Sequence, residues 1–158
     1  MTTVDQDGAS VKIPPPLVYL AAVIAGGLTG RYLFPLSLDV PRGVRFAAAA
    51  VVAAIGFGVM AAAVGLFRRT GQDPKPWKST PEIISTGVYR ITRNPMYVGM
   101  ALIQAGIGIG WASGWILALV PVVLAVVYAI AVRHEEAYLE ETFGDTYLRY
   151  KSSVRRWI

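Results

Sequence analysis

The chain contains no cysteine, and this absence excludes several kinds of site at once. Without thiols there is no disulfide framework, no cysteine-based zinc site and no cysteine nucleophile. The chain has one histidine, His134, and a single imidazole without thiols argues against a metal centre. Charged residues are scarce at 16%, whereas 54% of the 158 residues are hydrophobic. Disordered chains have the opposite balance, so that class is excluded.

Acidic residues are absent from four long apolar runs, and Arg31 is the only charged residue in them. The runs are residues 17–36, 46–67, 96–113 and 114–132. About 20 helical residues cross a hydrocarbon core about 30 Å thick. We therefore predict an all-α integral membrane bundle of four transmembrane helices. The last two form a helical hairpin with the indoles of Trp111 and Trp115 near one interface.

The lack of acidic groups within the runs argues against an ion-coupled transporter, which needs an ionisable group at membrane depth. Arg31 lies near a predicted helix end, from which its side chain can reach the interface. Nucleic acid is excluded as a partner, because the basic residues flank the runs and form no stripe with stacking aromatics. A small transporter or a structural membrane subunit remains the non-enzymatic alternative.

Lysine and arginine predict the orientation of the chain in the membrane. Residues 68–95 carry six basic and two acidic residues, and residues 133–158 hold five lysine or arginine residues, whereas the hairpin turn is uncharged. The positive-inside rule places both segments and both termini in the cytoplasm, and a prokaryotic cytoplasmic membrane is the expected location. No basic region typical of a signal peptide precedes the first run. We predict that the two polar segments meet on one side.

These segments make up one integral membrane domain. Its predicted parts are a mobile tail (residues 1–16), two spans (17–67), a cytoplasmic loop (68–95), a helical hairpin (96–132) and cytoplasmic C-terminal helices (133–158). Glycines four residues apart predict close helix packing within the bundle, because small side chains let helices approach each other in lipid. The pairs are Gly26 with Gly30 and Gly106 with Gly110.

The first polar motif, STGVYRITRNPMYVG at residues 85–99, closes the predicted loop. Pro95 suits the first position of a helix, and Asn94 before it is predicted to be the N-cap. Arg93 adds a positive charge beside the helix start, where an anionic group can bind. The motif also holds two tyrosines typical of an interface, Tyr89 and Tyr97. The alternative is a capped helix with interfacial arginines and tyrosines and no ligand.

The second polar motif, at residues 133–150, follows the last run directly. The last span is predicted to continue into a polar helix that ends at Gly144 as its C-cap. Asp145 is predicted to be the N-cap of a second helix, with Tyr147 and Tyr150 on one face.

Two carboxylates, Glu135 and Glu136, emerge at the membrane surface in a basic neighbourhood. Either they form a solvated helix start held by Arg133, or they recognise hydroxyls, an amino group or a cation. His134 is expected to donate a hydrogen bond. The residue types alone leave both interpretations open.

The ordered set of GVYR, RNPMYVG, a hairpin of about forty residues and EExxLxxxFGxxYxxY resembles the isoprenylcysteine carboxyl methyltransferase and phospholipid methyltransferase superfamily. The resemblance covers about residues 80–157. It implies an integral membrane methyltransferase that binds S-adenosyl-L-methionine at the cytoplasmic side. Asn94 stands where the carboxyl methyltransferases usually carry His, which argues against a prenyl-protein substrate.

The resemblance also implies the site residues. The candidates for the cofactor pocket are Tyr89, Arg93, Asn94, Tyr97, Gly99, His134, Glu135 and Glu136. The candidates for catalytic positions are Arg93, Tyr147, Tyr150 and Arg156. We expect Arg93→Ala and Glu136→Ala each to abolish turnover in a folded protein.

The many arginines favour a lipid or fatty-acid carboxylate as the methyl acceptor, giving a methyl ester. A carboxylate is already ionised near neutral pH, so it needs only an arginine such as Arg93 or Arg156 to orient it. The alternative acceptor is a phospholipid amine, which must first lose a proton. Glu140 and Glu141 are then the candidate bases.

Overall fold

The computed structural model of the protein describes residues 11, 13–71 and 81–158. These residues form six α-helices and no named strand, which confirms the all-α prediction for this part of the chain. The helices are α1 Pro15–Leu28, α2 Arg42–Arg69, α3 Pro95–Gly110, α4 Gly114–Val127, α5 Arg133–Phe143 and α6 Asp145–Ser153. Short π-helical turns and a 3-10 turn interrupt or join them, at Thr29–Leu33, Tyr128–Val132 and Gly87–Arg90. Most of the predicted tail and residues 72–80 of the predicted loop lie outside the described residues.

Within the described residues, three continuous helices are long and apolar enough to cross a membrane, namely Pro15–Leu33, Arg42–Arg69 and Gly114–Phe143. The third apolar run forms α3, which has 16 residues. At 1.5 Å per residue α3 is about 24 Å long, short of a hydrocarbon core of about 30 Å. The prediction of a fourth span therefore stays a prediction.

The helical hairpin of α3 and α4 is confirmed, with its turn at residues 111–113. The Ser113 hydroxyl caps α4 by accepting from the Ile116 amide at 3.4 Å. The loop after the first span packs against this turn, since the Trp115 indole donates to the Phe34 carbonyl at 2.6 Å. Trp111 is exposed at the same end of the bundle. Both indoles thus lie at one end, as predicted.

Glycines set the distance between helices. A Cβ added at Gly99 of α3 would lie 2.8 Å from the Gly56 carbonyl oxygen of α2 and 2.6 Å from Met60 Cγ. A Cβ at Gly106 would lie 3.0 Å from the Ala49 carbonyl oxygen, again on α2. At Gly26 of α1 it would lie 2.9 Å from Ile116 of α4. The predicted close approach is confirmed at Gly26 and Gly106.

The last span continues into the polar helix α5, as predicted, and Gly144 ends α5 with a φ of +50°. The predicted N-cap for α6 is wrong. Gly144 is the N-cap, and Asp145 is the first residue of α6. A single residue separates the two helices, so the glycine that ends one also begins the other.

The start of α1, residues 81–95 and the C-terminal helices lie at the same end of the bundle. The Tyr19 hydroxyl of α1 donates to the Tyr97 carbonyl at 2.9 Å. The Arg93 amide donates to the Arg155 carbonyl at 2.9 Å. The prediction that the loop and the C-terminal segment meet is therefore confirmed.

Candidate active site

The candidate site lies where residues 89–97, the start of α5 and residues 147–156 converge. Pro95 at the first position of α3 fixes the point where the chain enters that helix. Gly87, with a φ of +57°, allows the 3-10 turn that carries Tyr89 inward. The continuous helix through α4 and α5 delivers Glu135 and Glu136 to the same place.

A buried ion cluster of Arg93, Glu136 and Arg156 lies at the centre of the site. Arg93 Nη2 donates to Glu136 Oε1 at 2.9 Å. Arg156 donates from Nε to Oε1 and from Nη2 to Oε2, both at 2.9 Å. The side chains of Arg93 and Glu136 are only 8% and 10% exposed, while that of Arg156 is 35% exposed. The Glu136 carboxylate raises the pKa of Arg156, so this guanidinium stays charged.

Arg93 also fastens the C-terminal segment. Its Nη1 donates to the Lys151 carbonyl at 2.7 Å and to the Val154 carbonyl at 2.8 Å. These carbonyls lie at the C-terminal end of α6, where the helix dipole favours a cation. Arg93 therefore holds the end of α6 against the start of α3.

Asn94 does not act through the capping bond predicted for it. It occupies the N-cap position of α3, but its side chain makes no capping hydrogen bond there. Its Nδ2 instead donates to the Arg156 carbonyl at 3.0 Å, and the Thr92 hydroxyl donates to the same carbonyl at 2.9 Å. The tail passes so close to the helix start that the Asn94 side chain binds the tail.

Glu135 pairs with a tyrosine. The Tyr97 hydroxyl donates to Glu135 Oε1, and Tyr97 itself is buried. Among the described residues the second carboxylate oxygen of Glu135 has no hydrogen-bond partner. Both oxygens of Glu136, in contrast, accept from guanidinium groups.

Among the described residues, Arg133 forms no ion pair with Glu135 or Glu136. The structure thus differs from the alternative in which Arg133 holds these two carboxylates at a solvated helix start. Arg133 Nε donates to His134 Nε2 at 3.3 Å. In this contact the imidazole accepts, and the expectation that His134 donates a hydrogen bond stays a prediction. His134 takes no part in the Arg93–Glu136–Arg156 cluster.

Three tyrosines pack beside the ion cluster. The Tyr150 hydroxyl of α6 donates to the Tyr89 carbonyl at 2.7 Å. Tyr147 is 1% exposed, and its ring centroid lies 6.2 Å from that of Tyr150. Burial raises the pKa of Tyr150 to about 12 and raises those of Tyr89 and Tyr147 as well. These hydroxyls are therefore protonated at neutral pH and can serve as hydrogen-bond donors.

The structure brings most of the predicted residues into three linked contacts: the ion cluster with Asn94, the Tyr97–Glu135 pair and the Tyr89–Tyr150 pair. Gly99 instead packs against α2, where its lack of a side chain lets α2 and α3 approach closely. Sequence reasoning missed three contributors, which are Tyr19, Thr92 and Lys151. Thr92 lies inside the first motif, but its partner is 64 residues away and left no local signal.

An apolar cavity of about 480 Å³ opens between the end of α2 and the turn before the site. It is lined by Ala62, Gly65, Leu66, Arg69, Gly87, Val88 and Ile91. Ile91 is strongly exposed there, as expected for a surface in contact with acyl chains.

Comparison with known proteins gives two matches. A protein of Haemophilus influenzae (strain ATCC 51907 / DSM 11121 / KW20 / Rd), described as an uncharacterized protein, is 37% identical over 65 residues. These cover 40% of this chain and 100% of that protein. The family described as phospholipid methyltransferase matches residues 44–146, a range that contains Arg93, Tyr97, Glu135 and Glu136 and ends just before Tyr147. The chain therefore belongs to the phospholipid methyltransferase family of integral membrane methyltransferases.

Proposed function

We propose that this protein is an enzyme that transfers the methyl group of S-adenosyl-L-methionine to a lipid acceptor at the membrane. The observation that carries the proposal is the meeting of residues 93–97 with residues 135–136 at one end of an apolar helical bundle. Both segments lie within the range matched by the family. We place this end at the cytoplasmic face, because the basic residues concentrate there.

The side chains present suit the methyl donor. Ribose hydroxyls and an amino group need hydrogen-bond acceptors, and Glu135 has a carboxylate oxygen that no described residue engages. Tyr97 holds that carboxylate by its other oxygen. When bound, S-adenosyl-L-methionine supplies an electrophilic methyl group on a sulfonium sulfur.

The ion cluster has a positioning role in this proposal. Glu136 has both oxygens engaged by arginines, so it holds the C-terminal segment in place and leaves ligand binding to Glu135. Arg93, with both terminal nitrogens engaged, has the same positioning role. Methyl transfer needs an in-line arrangement of acceptor and donor. By holding the C-terminal segment in one position, the ion cluster helps to keep this arrangement, which raises the rate.

A lipid acceptor is supported by the apolar cavity beside residues 87–91, which lets an acyl chain lie next to the site. For a carboxylate acceptor, Arg156 is the orienting group. It is partly exposed, its Nη1 has no partner among the described residues, and its guanidinium stacks 4.7 Å from the Tyr128 ring centroid. Both terminal nitrogens of Arg93 are already engaged, so Arg93 is less suited to this task.

Methylation of a phospholipid amine is the second candidate, and the family's description favours it. An ammonium group must lose a proton before it accepts a methyl group. Of the two candidate bases, Glu140 is paired with Lys151 at 2.7 Å, whereas Glu141 is exposed. Of these two carboxylates, Glu141 is the one that forms no ion pair among the described residues.

The test is methyl transfer by the purified protein in lipid nanodiscs with isotopically labelled S-adenosyl-L-methionine. Separate nanodiscs carry a free fatty acid or phosphatidylethanolamine, and mass spectrometry identifies a labelled methyl ester or a labelled N-methyl headgroup. We expect one product, reduced by Tyr97→Phe and unchanged by Tyr32→Phe in the π-helical turn that follows α1. Labelled lipid in neither sample, with folded protein that binds no donor, would contradict the proposal.

A further inference from the structure

A second cavity, of about 490 Å³, lies between residues 85–90 and the C-terminal part of α6, and it is bordered by Tyr150, whose hydroxyl donates to the Tyr89 carbonyl. It is lined by Ser85, Arg90, Arg149, Tyr150, Ser153 and Val154. Its charged lining residues are Arg90 and Arg149, and no acidic side chain of the described residues lines it. The cavity contains none of the ion-cluster residues and neither Tyr97 nor Glu135.

Both arginines lack a counter-charge among the described residues. Within residues 81–158 as described, neither Arg90 nor Arg149 forms an ion pair or a side-chain hydrogen bond. Asp145 lies one helical turn before Arg149 and forms no ion pair with it in that range. Both guanidinium groups line the same cavity, so an anion bound there can pair with two positive charges at once.

The remaining polar groups also suit an anion. Ser85 is exposed, and its hydroxyl has no partner among the described residues, so it can donate. The Ser153 hydroxyl already donates to the Tyr150 carbonyl at 2.9 Å, and the Tyr150 hydroxyl donates to Tyr89. The donors left for a ligand are therefore Ser85 and the two guanidinium groups.

We propose that this cavity is an anion site that binds a phosphoryl group through Arg90, Arg149 and Ser85. The planar forks of arginine match phosphate oxygens, which favours a phosphoryl group over a single-point anion such as chloride. The source of the group is either the headgroup of an anionic membrane lipid or free phosphate.

A phosphoryl group held here joins two separate parts of the chain. Arg90 belongs to the turn before the candidate active site, and Arg149 belongs to α6. The bound anion thus acts in parallel with the Tyr150–Tyr89 hydrogen bond and stabilises the docked position of α6. This proposal goes beyond methyl transfer and does not depend on it.

The experiment follows thermal unfolding of the purified full chain in two titrations. One adds inorganic phosphate to protein in neutral detergent. The other compares nanodiscs of phosphatidylcholine alone with nanodiscs of increasing phosphatidic acid content. The variant is Arg90→Gln/Arg149→Gln, and the control Arg68→Gln/Arg155→Gln removes the same charge from exposed arginines outside the cavity. The single variant Arg149→Gln repeats the test if the double variant unfolds.

For the wild-type protein we expect a saturable rise in the unfolding temperature in at least one titration. The control variant Arg68→Gln/Arg155→Gln should show the same rise. The apparent dissociation constant should rise about tenfold for each arginine removed from the cavity. A rise with phosphatidic acid only identifies a lipid headgroup as the ligand, and a rise in both titrations identifies the phosphoryl group itself. No saturable rise in wild type, or an equal rise in the cavity variant and the control, overturns the proposal.

Discussion

Arg93 and Glu136 lie 43 residues apart in the chain, yet Arg93 Nη2 donates to Glu136 Oε1 at 2.9 Å in a nearly buried contact. The same guanidinium binds two carbonyls at the end of α6. One side chain thus joins the start of α3, the start of α5 and the C-terminal segment. The arrangement of the candidate site depends on this junction.

Glu136→Gln should destabilise the protein as well as lower its activity. The variant keeps the shape of the side chain but removes the charge that compensates Arg93 and Arg156. Breaking a buried ion pair costs about 3–5 kcal/mol, whereas an exposed pair contributes about 1 kcal/mol or less. We expect the free energy of unfolding, measured with denaturant in detergent, to fall by an amount closer to that of a buried pair. This revises our expectation that Glu136→Ala leaves the fold intact. Glu141→Gln, at an exposed position of α5, is the control, and equal stability of the two variants would contradict the account.

Tyr150→Phe should lower stability by about 0.5–1.5 kcal/mol, because it removes the hydrogen bond to the Tyr89 carbonyl. Burial raises the pKa of Tyr150 to about 12, above the usual value of about 10. The protonated hydroxyl therefore stabilises the fold fully below about pH 10, and this contribution is lost as the pH rises toward about 12. Unfolding between about pH 6 and pH 9 should show a constant difference from wild type. A difference that disappears within this interval would argue against the assigned donor.

Gly99→Ala should destabilise the bundle strongly, because the added Cβ would lie 2.6 Å from Met60 Cγ and 2.8 Å from the Gly56 carbonyl oxygen. Gly58→Ala on α2 is the matched control, since a Cβ there meets nothing within 4 Å. The control should be neutral or stabilised by up to about 1 kcal/mol, the usual helix preference of Ala over Gly. Thermal unfolding of both variants compares them directly. If Gly99→Ala keeps wild-type stability but loses donor binding, Gly99 belongs to the cofactor pocket as the family resemblance implies.

Much of the fold follows from local features of the sequence. Hydropathy predicted the helices because each run buries its backbone polar groups by itself. Gly144 predicted the break between α5 and α6 because few other residues adopt its φ. The length of α3 was overestimated. The apolar run extends to Ser113, whereas the helix ends at Gly110.

The sequence predicted which residues belong to the candidate site, but it did not predict their hydrogen-bond and ion-pair partners. Asn94 binds a carbonyl 62 residues away, and no local rule for helix capping contains that contact. Glu135 and Glu136 are neighbours of the same type, and only the packed structure gives one a tyrosine and the other two arginines. Such differences depend on how helices cross, which residue spacing does not specify.

Calorimetric titration of S-adenosylhomocysteine into the purified protein in detergent tests the central claim most directly. We expect saturable binding by wild type and by Tyr32→Phe. In Tyr97→Phe and Glu135→Gln we expect binding weakened by about tenfold or more, the effect of losing one charge-assisted hydrogen bond. Folded wild-type protein that binds no S-adenosylhomocysteine at high concentration would contradict the account, and equal affinity in all four proteins would remove Tyr97 and Glu135 from the site.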